Sequence, residues 1–524
     1  LHGRLYSTMP FMLLIYPPSA RCTEAPLGIA RLAACLRSAG REVGCIDLCQ
    51  EGIEYLLHLD VKAEDKRGRG SIARRGRAAE SLRNSAAYGN PSRYARAVDD
   101  LGRALRLASG NRGVEASLAD YRDENRSPLR RTDLLDAAES FRENVFYPLF
   151  ESRVAPALNA NVDAWVGISL CYLSQALCAF ALIGYVKSIR PGIRVVVGGG
   201  LVTSWIAGGM FGSDEKFGGL ADAMIAGPGE EPLLRLLGIA RSPIEDPLAL
   251  EDFSALRYFA PTRIVPYNFS SGCPWKRCSF CPEKAENMPY SGLPAAEAAA
   301  RISRLGLSYE PGLYHFTDSE IAPGYLDALV ACPPSAPWYG FARFSSRLLD
   351  LDFCRALRAS GCVMLQLGLE SGDQGVLDRI GKGTKVDEIA VILDNLAEAG
   401  IGTYVYVLFG TPEEDRGAAM RTRDFVASRS DRIGFLNVAV FNLPAASVEA
   451  KSLDTRNFYE GDLSLYREFS HPSGWDRTAV RRFLEEDFQA IPEIRSIVKR
   501  TPPVFSSNHA PFFLDFGAAP ISGF

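Results

Sequence analysis

No charge of either sign dominates this chain: a net charge of −4 over 524 residues gives no reason to expect nucleic acid as a partner. Twelve cysteines are present, yet outside one cluster they are scattered. They form no dense framework of the kind that staples a small secreted domain, which reads as a reducing compartment, the cytoplasm. No cysteine follows Cys362 in this sequence, so a C-terminal domain built on several further thiolates is not expected in it. The opening residues lack the charged, apolar and small-residue succession of a secretory leader. Ala164–Val186 is uncharged over the length of a bilayer. Within it Val166–Leu170 reads as a buried strand, and Ser174 and Gln175 mark a turn into a helix ending near Ile189, so no membrane span is expected.

What is present is concentrated in one segment. Cys273, Cys278 and Cys281 fall within nine residues in the spacing C-x4-C-x2-C, with Phe280 before the last, and no fourth cysteine or histidine is near in sequence. Four ligands normally close a structural zinc or iron–sulfur site, so a loop supplying three leaves one metal position open to an exogenous ligand. The loop alone also allows a zinc knuckle completed from afar by His315, Cys332 or His509, which would make the chain a zinc-stabilised binding protein.

The length exceeds one compact core, and two or three domains are expected. Phe11–Tyr16 and Val43–Asp47 read as strands, with Ile29, Leu32, Ala33 and Leu36 on one face of the helix between them and Gly40 placed to end it. Further strands are expected at Val166–Leu170, at Val195–Val197 before Gly198-Gly199-Gly200, and at Ala221–Ala226 before Gly227. Alternating short strands and helices indicate a doubly wound parallel sheet, whose ligands bind beyond the C-terminal strand ends. A second set, 264–269, 313–316, 339–343, 364–368, 404–409 and 435–441, suggests a partial (β/α)6 barrel with its reactive groups at the same ends. The expected division is an N-terminal α/β domain over 8–242 carrying a helical insertion at about 54–161, a partial barrel over 262–445, and a helical or irregular C-terminal region over 446–524. The Arg-rich insertion (Arg74, Arg75, Arg77, Arg130, Arg131) reads first as a solvated face, with an anionic substrate or peptide dock as the minority reading. Cys332, Cys354 and Cys362 read as buried small hydrophobes.

The cysteine segment resembles the cluster loop of the radical SAM superfamily, with one residue more than the usual C-x3-C-x2-C. The resemblance implies a [4Fe-4S] cluster on Cys273, Cys278 and Cys281, and S-adenosylmethionine on the fourth iron. It places Phe280 beside the adenine, and Thr317, Asp318 and Glu320 where the family holds the cofactor's amino group. Arg343 stands where a cation would meet the methionyl carboxylate, and Glu370 and Ser371 of Gly368-Leu369-Glu370-Ser371-Gly372 stand at its sugar and amino-acid portions. Lys382-Gly383-Thr384 and Gly410-Thr411-Pro412-Glu413-Glu414 complete the pattern.

The N-terminal half is similar to the cobalamin-binding-type domain that precedes the barrel in one branch of that superfamily. Pro17, Ser169, Gly198, Gly199, Gly200 and Gly227 are the cofactor-binding residues this implies. Asp47-Leu48-Cys49-Gln50-Glu51-Gly52 mimics a D-x-H-x-x-G cobalt-ligating motif, but it has Cys where His belongs and follows the second strand, and is read as coincidence.

The resemblance thus implies S-adenosylmethionine cleavage and functionalisation of an unactivated carbon, with cobalamin-dependent C-methyl transfer first. A cobalamin-independent epimerase, cyclase or rearrangement enzyme using the N-terminal domain as scaffold is the alternative. The partners implied are a small-molecule or peptide substrate and an electron donor such as flavodoxin or ferredoxin. Tyr466, His471, Trp475 and the segment Ser506-Ser507-Asn508-His509-Ala510-Pro511 are polar groups placed to close the barrel mouth.

Overall fold

The computed structural model describes residues 11–110, 113–161, 163–211, 217–239, 248–503 and 509–516. They fall into two compact units, one drawn from 1–76, 99–258 and 460–463, the other from 77–98, 259–459 and 464–524.

The first unit is built on five parallel strands, β1 (Met12–Tyr16), β2 (Val43–Asp47), β3 (Trp165–Ser169), β4 (Arg194–Gly198) and β5 (Ala223–Ile225). Their order across the sheet is β2-β1-β3-β4-β5. The central strands are nearly continuous apolar runs because helices cover both faces of such a sheet, and Met12 through Ile15 are almost fully buried. The chain reverses its winding between β1 and β3, the place where doubly wound sheets open a ligand crevice at their carboxyl ends. The uncharged stretch resolves into β3 followed by the helix Leu173–Ile189. No helix among the described residues is long and apolar enough to cross a membrane.

The second unit holds six parallel strands, β6 (Ile264–Tyr267), β7 (Leu313–Phe316), β8 (Trp338–Ala342), β9 (Cys362–Glu370), β10 (Gly402–Phe409) and β11 (Phe435–Val440). Each pairs with its sequence neighbour, so β6 and β11 are the two edges of an open partial barrel. Helices 295–309, 323–331, 351–359, 386–398 and 416–428 return the chain between strands, as parallel pairing requires.

Three features differ from the sequence reading. Within the insertion, Arg77–Val98 belongs to the second unit: there Tyr88 and Tyr94 pack their rings 5.2 and 5.0 Å from Phe512. The C-terminal region is helical at Arg477–Phe483 and Pro492–Arg500, but before that Thr455–Asn457 and Tyr466–Phe469 join Leu443–Pro444 in a small antiparallel sheet. Thirdly, Cys354 and Cys362 are buried as expected, whereas Cys332 is exposed. It follows the last residue of helix Pro323–Ala331, where the chain has already left the core. The insertion arginines largely find acids, Arg74 pairing with Asp100 at 2.7 Å and Arg130 with Glu460 at 2.8 Å, which suits a solvated face.

Candidate active site

The cysteine loop leaves the sheet just after β6. Ser270–Ser271 pairs antiparallel with Ser291–Gly292, closing the base of a loop that contains all three cysteines. Gly272 opens it with φ +74°, and a β-carbon there would stand 2.8 Å from the Pro289 carbonyl oxygen, so the base tolerates only glycine. The extra residue between the first two cysteines is absorbed by a left-handed turn at Lys276, φ +50°. Trp275 anchors this arm: its indole N–H donates to the Gly381 carbonyl at 2.8 Å, and the Arg343 and Arg277 guanidinium groups lie 4.4 and 4.8 Å from its ring. Ser279 N–H adds a bond to the Ile380 carbonyl at 2.9 Å.

Asp318, expected to meet the cofactor's amino group, is instead committed to the loop. Its carboxylate accepts Phe269 N–H at 3.0 Å, Ser270 N–H at 2.8 Å and the Ser270 hydroxyl at 2.6 Å. Burial still raises its pKa, but three donors satisfy its oxygens and leave it a positioning role. Thr317 N–H donates to the Tyr267 carbonyl at 2.8 Å, binding β7 to β6. Ser371 likewise faces inward: its hydroxyl meets Thr422 Oγ1 at 3.0 Å and accepts Asp373 N–H at 3.1 Å.

Glu320, Arg343, Glu370 and Lys382 converge on the loop. Cys273 Sγ lies 3.6 Å from Glu320 Oε2, which lies 3.8 Å from Arg343 Nε, and Arg343 Nη1 is 4.0 Å from Cys278 Sγ. Burial raises the Glu320 pKa, and the Arg343 charge opposes it. Arg343 also donates to the Lys382 carbonyl. Lys382 Nζ pairs with Glu370 at 2.7 Å, both side chains nearly buried, and stands 5.6 Å over the Phe280 ring. Glu370 occupies φ +61° at an irregularity in β9 pairing; such a bulge re-aims a side chain, here toward Lys382. Lys382 entered the sequence pattern only through Lys382-Gly383-Thr384, and no spacing along the chain singled out Trp275.

Burial pushes the Cys281 thiol up to about 11 and raises Cys273, although backbone N–H groups favour both thiolates. Among the described residues no three histidine, cysteine or acidic side chains, the loop cysteines included, are drawn together around a single point. His315 stacks on Tyr339 at 4.4 Å and His509 on Tyr404 at 4.6 Å. Ser506, Ser507 and Asn508 lie outside the described residues. Tyr466 lies in the small antiparallel sheet, and His471 Nε2 is 2.9 Å from the Thr411 carbonyl.

In the first unit, Pro17 follows β1, Ser169 ends β3, Gly198 ends β4 and Gly227 follows β5, all at one edge of the sheet. Gly199 (φ +109°) and Gly227 (φ +71°) need the freedom of glycine, and Gly200 starts the helix beyond β4. Ser169 Oγ is 3.5 Å from Cys171 Sγ, and the Pro17 carbonyl accepts from Gln175 at 2.8 Å. Cys49 faces inward, accepting Ala20 N–H at 3.1 Å and lying 2.9 Å from Cys22 Sγ. Its sulfur is not presented to a ligand.

A three-thiolate loop follows the first strand of a parallel open barrel in the second unit, and the first unit is a doubly wound sheet. Residues 267–426 of the chain match the Radical SAM superfamily. Two solved structures share the overall fold. One is the cobalamin-dependent S-adenosylmethionine radical enzyme OxsB with aqua-cobalamin bound, at 13% identity and TM-score 0.53, covering 92% of this chain and 67% of that one. The other is the radical S-adenosylmethionine methyltransferase TsrM from Kitasatospora setae with cobalamin and a [4Fe-4S] cluster bound, at 16% identity and TM-score 0.51, covering 90% and 85%. In a further OxsB structure, with S-adenosylmethionine also bound, this chain spans 57% of the length. No curated protein matches.

Proposed function

We propose that this enzyme functionalises an unactivated carbon by cobalamin-dependent C-methyl transfer. The observation that carries the reading is the order of the two halves: a five-stranded parallel sheet with glycines at the carboxyl ends of β4 and β5, then a three-thiolate loop flanked by Glu320 and Arg343. The likeness to OxsB and TsrM supports it at the level of fold.

When bound, a reduced cluster supplies an electron to the sulfonium of S-adenosylmethionine, and a cobalamin carries a methyl group. Cys273, Cys278 and Cys281 hold the cluster. Glu320 takes the ammonium of the methionyl end and Arg343 its carboxylate, a complementary buried pair. The Glu370–Lys382 pair borders the sugar, Phe280 the adenine, and Trp275 fixes the loop. Pro17, Ser169, Gly198, Gly199, Gly200 and Gly227 line the crevice for cobalamin within 8–242. Residues 262–445 carry the radical chemistry and 446–524 cover substrate. A flavodoxin or ferredoxin in the cytoplasm supplies the electron.

The alternative reading is a cobalamin-independent epimerisation, cyclisation or rearrangement with the N-terminal half as scaffold. Anaerobic reconstitution with and without cobalamin tests both. Methyl transfer yields S-adenosylhomocysteine together with 5′-deoxyadenosine and a bound corrinoid spectrum. 5′-Deoxyadenosine alone, without bound corrinoid, selects the second reading.

A further inference from the structure

Where the C-terminal ends of β10 and β11 meet the small antiparallel sheet there is a cavity of about 500 Å³, the size of a small-molecule site. None of the loop cysteines or their neighbours lines it. Its aromatic walls are Phe441, Phe458, Phe469 and Trp475. Trp475 is held in place by Glu414, which accepts its indole N–H at 2.9 Å and the Gly410 N–H at 2.6 Å. The wall is therefore tied to the end of β10.

Most charges around the cavity are already engaged. Arg456 pairs with Glu468 at 2.7 Å, Asp454 accepts the Ser470 hydroxyl at 2.9 Å, and Asp476 accepts Ala479 N–H at 2.8 Å to cap the next helix. Arg467 donates to Asn457 and is exposed. Arg477 is different. Its Nη1 donates to the Phe441 carbonyl at 3.2 Å and to Asn442 Oδ1 at 2.7 Å, and its guanidinium lies 4.8 Å over the Phe458 ring. Every one of these partners is neutral, and no carboxylate forms an ion pair with Arg477 among the described residues. Burial, then the neighbouring Arg481, lowers its pKa against the opposing pull of Tyr459 and Glu468. With Nη1 engaged, Nε and Nη2 remain, the two-pronged edge that grips a carboxylate.

We propose that this cavity binds a small aromatic carboxylate, its anion held by the Nε/Nη2 edge of Arg477 and its ring against Phe458, Phe441 and Trp475. That this ligand is the substrate of the radical reaction rests on the function proposed above; that the cavity takes an aromatic carboxylate does not.

The test is calorimetric titration of the full, anaerobically reconstituted chain with phenylacetate and indoleacetate, and with their primary amides, alongside iron content of the same samples. Saturable binding of the acids with at least about tenfold preference over the amides, a difference of about 1.4 kcal/mol, is the expected result. Arg477→Gln abolishes the preference, Arg477→Lys keeps only part of it, and Phe458→Ala weakens acid and amide alike. Equal binding of acid and amide, a preference that survives Arg477→Gln, or no saturable binding of either acid to the folded protein overturns the proposal. Iron-loaded protein that fails to bind the acids sinks this inference alone, whereas protein that binds them but takes up no iron sinks the radical reading.

Discussion

The indole of Trp275 lies so close to the α-carbon of Gly383 that a β-carbon built there would clash with its Cζ2 and Cη2 atoms, and Gly383 itself sits at φ +68°. Two segments far apart in the chain thereby fix one another. The same indole donates to Gly381 across 106 residues of sequence, so the arm bearing Cys273 and Cys278 is held from the segment that also carries Lys382.

Gly383→Ala is expected to displace Trp275 and cost about 1–3 kcal/mol through backbone strain alone, with more from the ring clash. Iron per chain after anaerobic reconstitution should fall several-fold below wild type. A variant with normal iron content would show that the loop holds its cluster geometry without this contact.

Replacing Cys273, Cys278 or Cys281 by Ala should remove most iron and all cleavage of S-adenosylmethionine while leaving the chain folded, because two thiolates do not retain a cubane against solvent. Cys354→Ala and Cys362→Ala should keep iron and cost about 1–2 kcal/mol in packing. Exposed Cys332→Ala should change stability by less than about 0.5 kcal/mol. Iron analysis and thermal unfolding of the six variants check this, and near-normal cleavage in Cys278→Ala would refute the ligand set.

Arg343→Met should leave iron in place and weaken S-adenosylmethionine binding by about tenfold or more, since a charge-assisted bond of about 1.5–3 kcal/mol is lost and Glu320 is left buried without its cation. Equilibrium binding to the reconstituted variant measures it. Unchanged affinity would remove Arg343 from the carboxylate role.

Burial pushes Glu414 from 4.5 to about 7, against the opposing hydrogen bonds from Gly410 and Trp475. A raised carboxyl pKa means that the folded state holds the proton longer than the unfolded chain. Its contribution is therefore complete below the ordinary value of 4.5 and is lost as pH rises through about 7. The size is about 3 kcal/mol. Asp47, raised by burial to about 6, adds in the same direction at lower pH. Thermal unfolding followed across this window should show stability declining with pH, and Glu414→Gln should flatten the upper part of the decline. An identical profile in that variant would mean that Glu414 titrates normally.

Much of the fold was legible because its signals are local. Short apolar runs separated by helical periods mark β1 to β11 within a few residues, since strands buried on both faces must be apolar along their whole length. The three-cysteine spacing and the glycines after β4 and β5 are equally local, and the uncharged 164–186 stretch was recognisable as strand and helix from its turn residues. The Cys49 mimic was separable by its place after the wrong strand.

Tertiary structure decided the rest, through contacts between residues far apart in the chain. Sequence order grouped Thr317, Asp318 and Glu320 as one turn, but only the fold assigns Asp318 to the base of the cysteine loop and turns Glu320 toward Arg343 and Cys273. It sends Ser371 into the core toward Thr422 while the β9 bulge turns Glu370 to Lys382. The sequence by itself determined which strands form and where three thiolates stand. Which buried charges face each other, and that Arg477 keeps a free edge in an aromatic cavity, depend on packing across the open barrel, and no spacing along the chain encodes that.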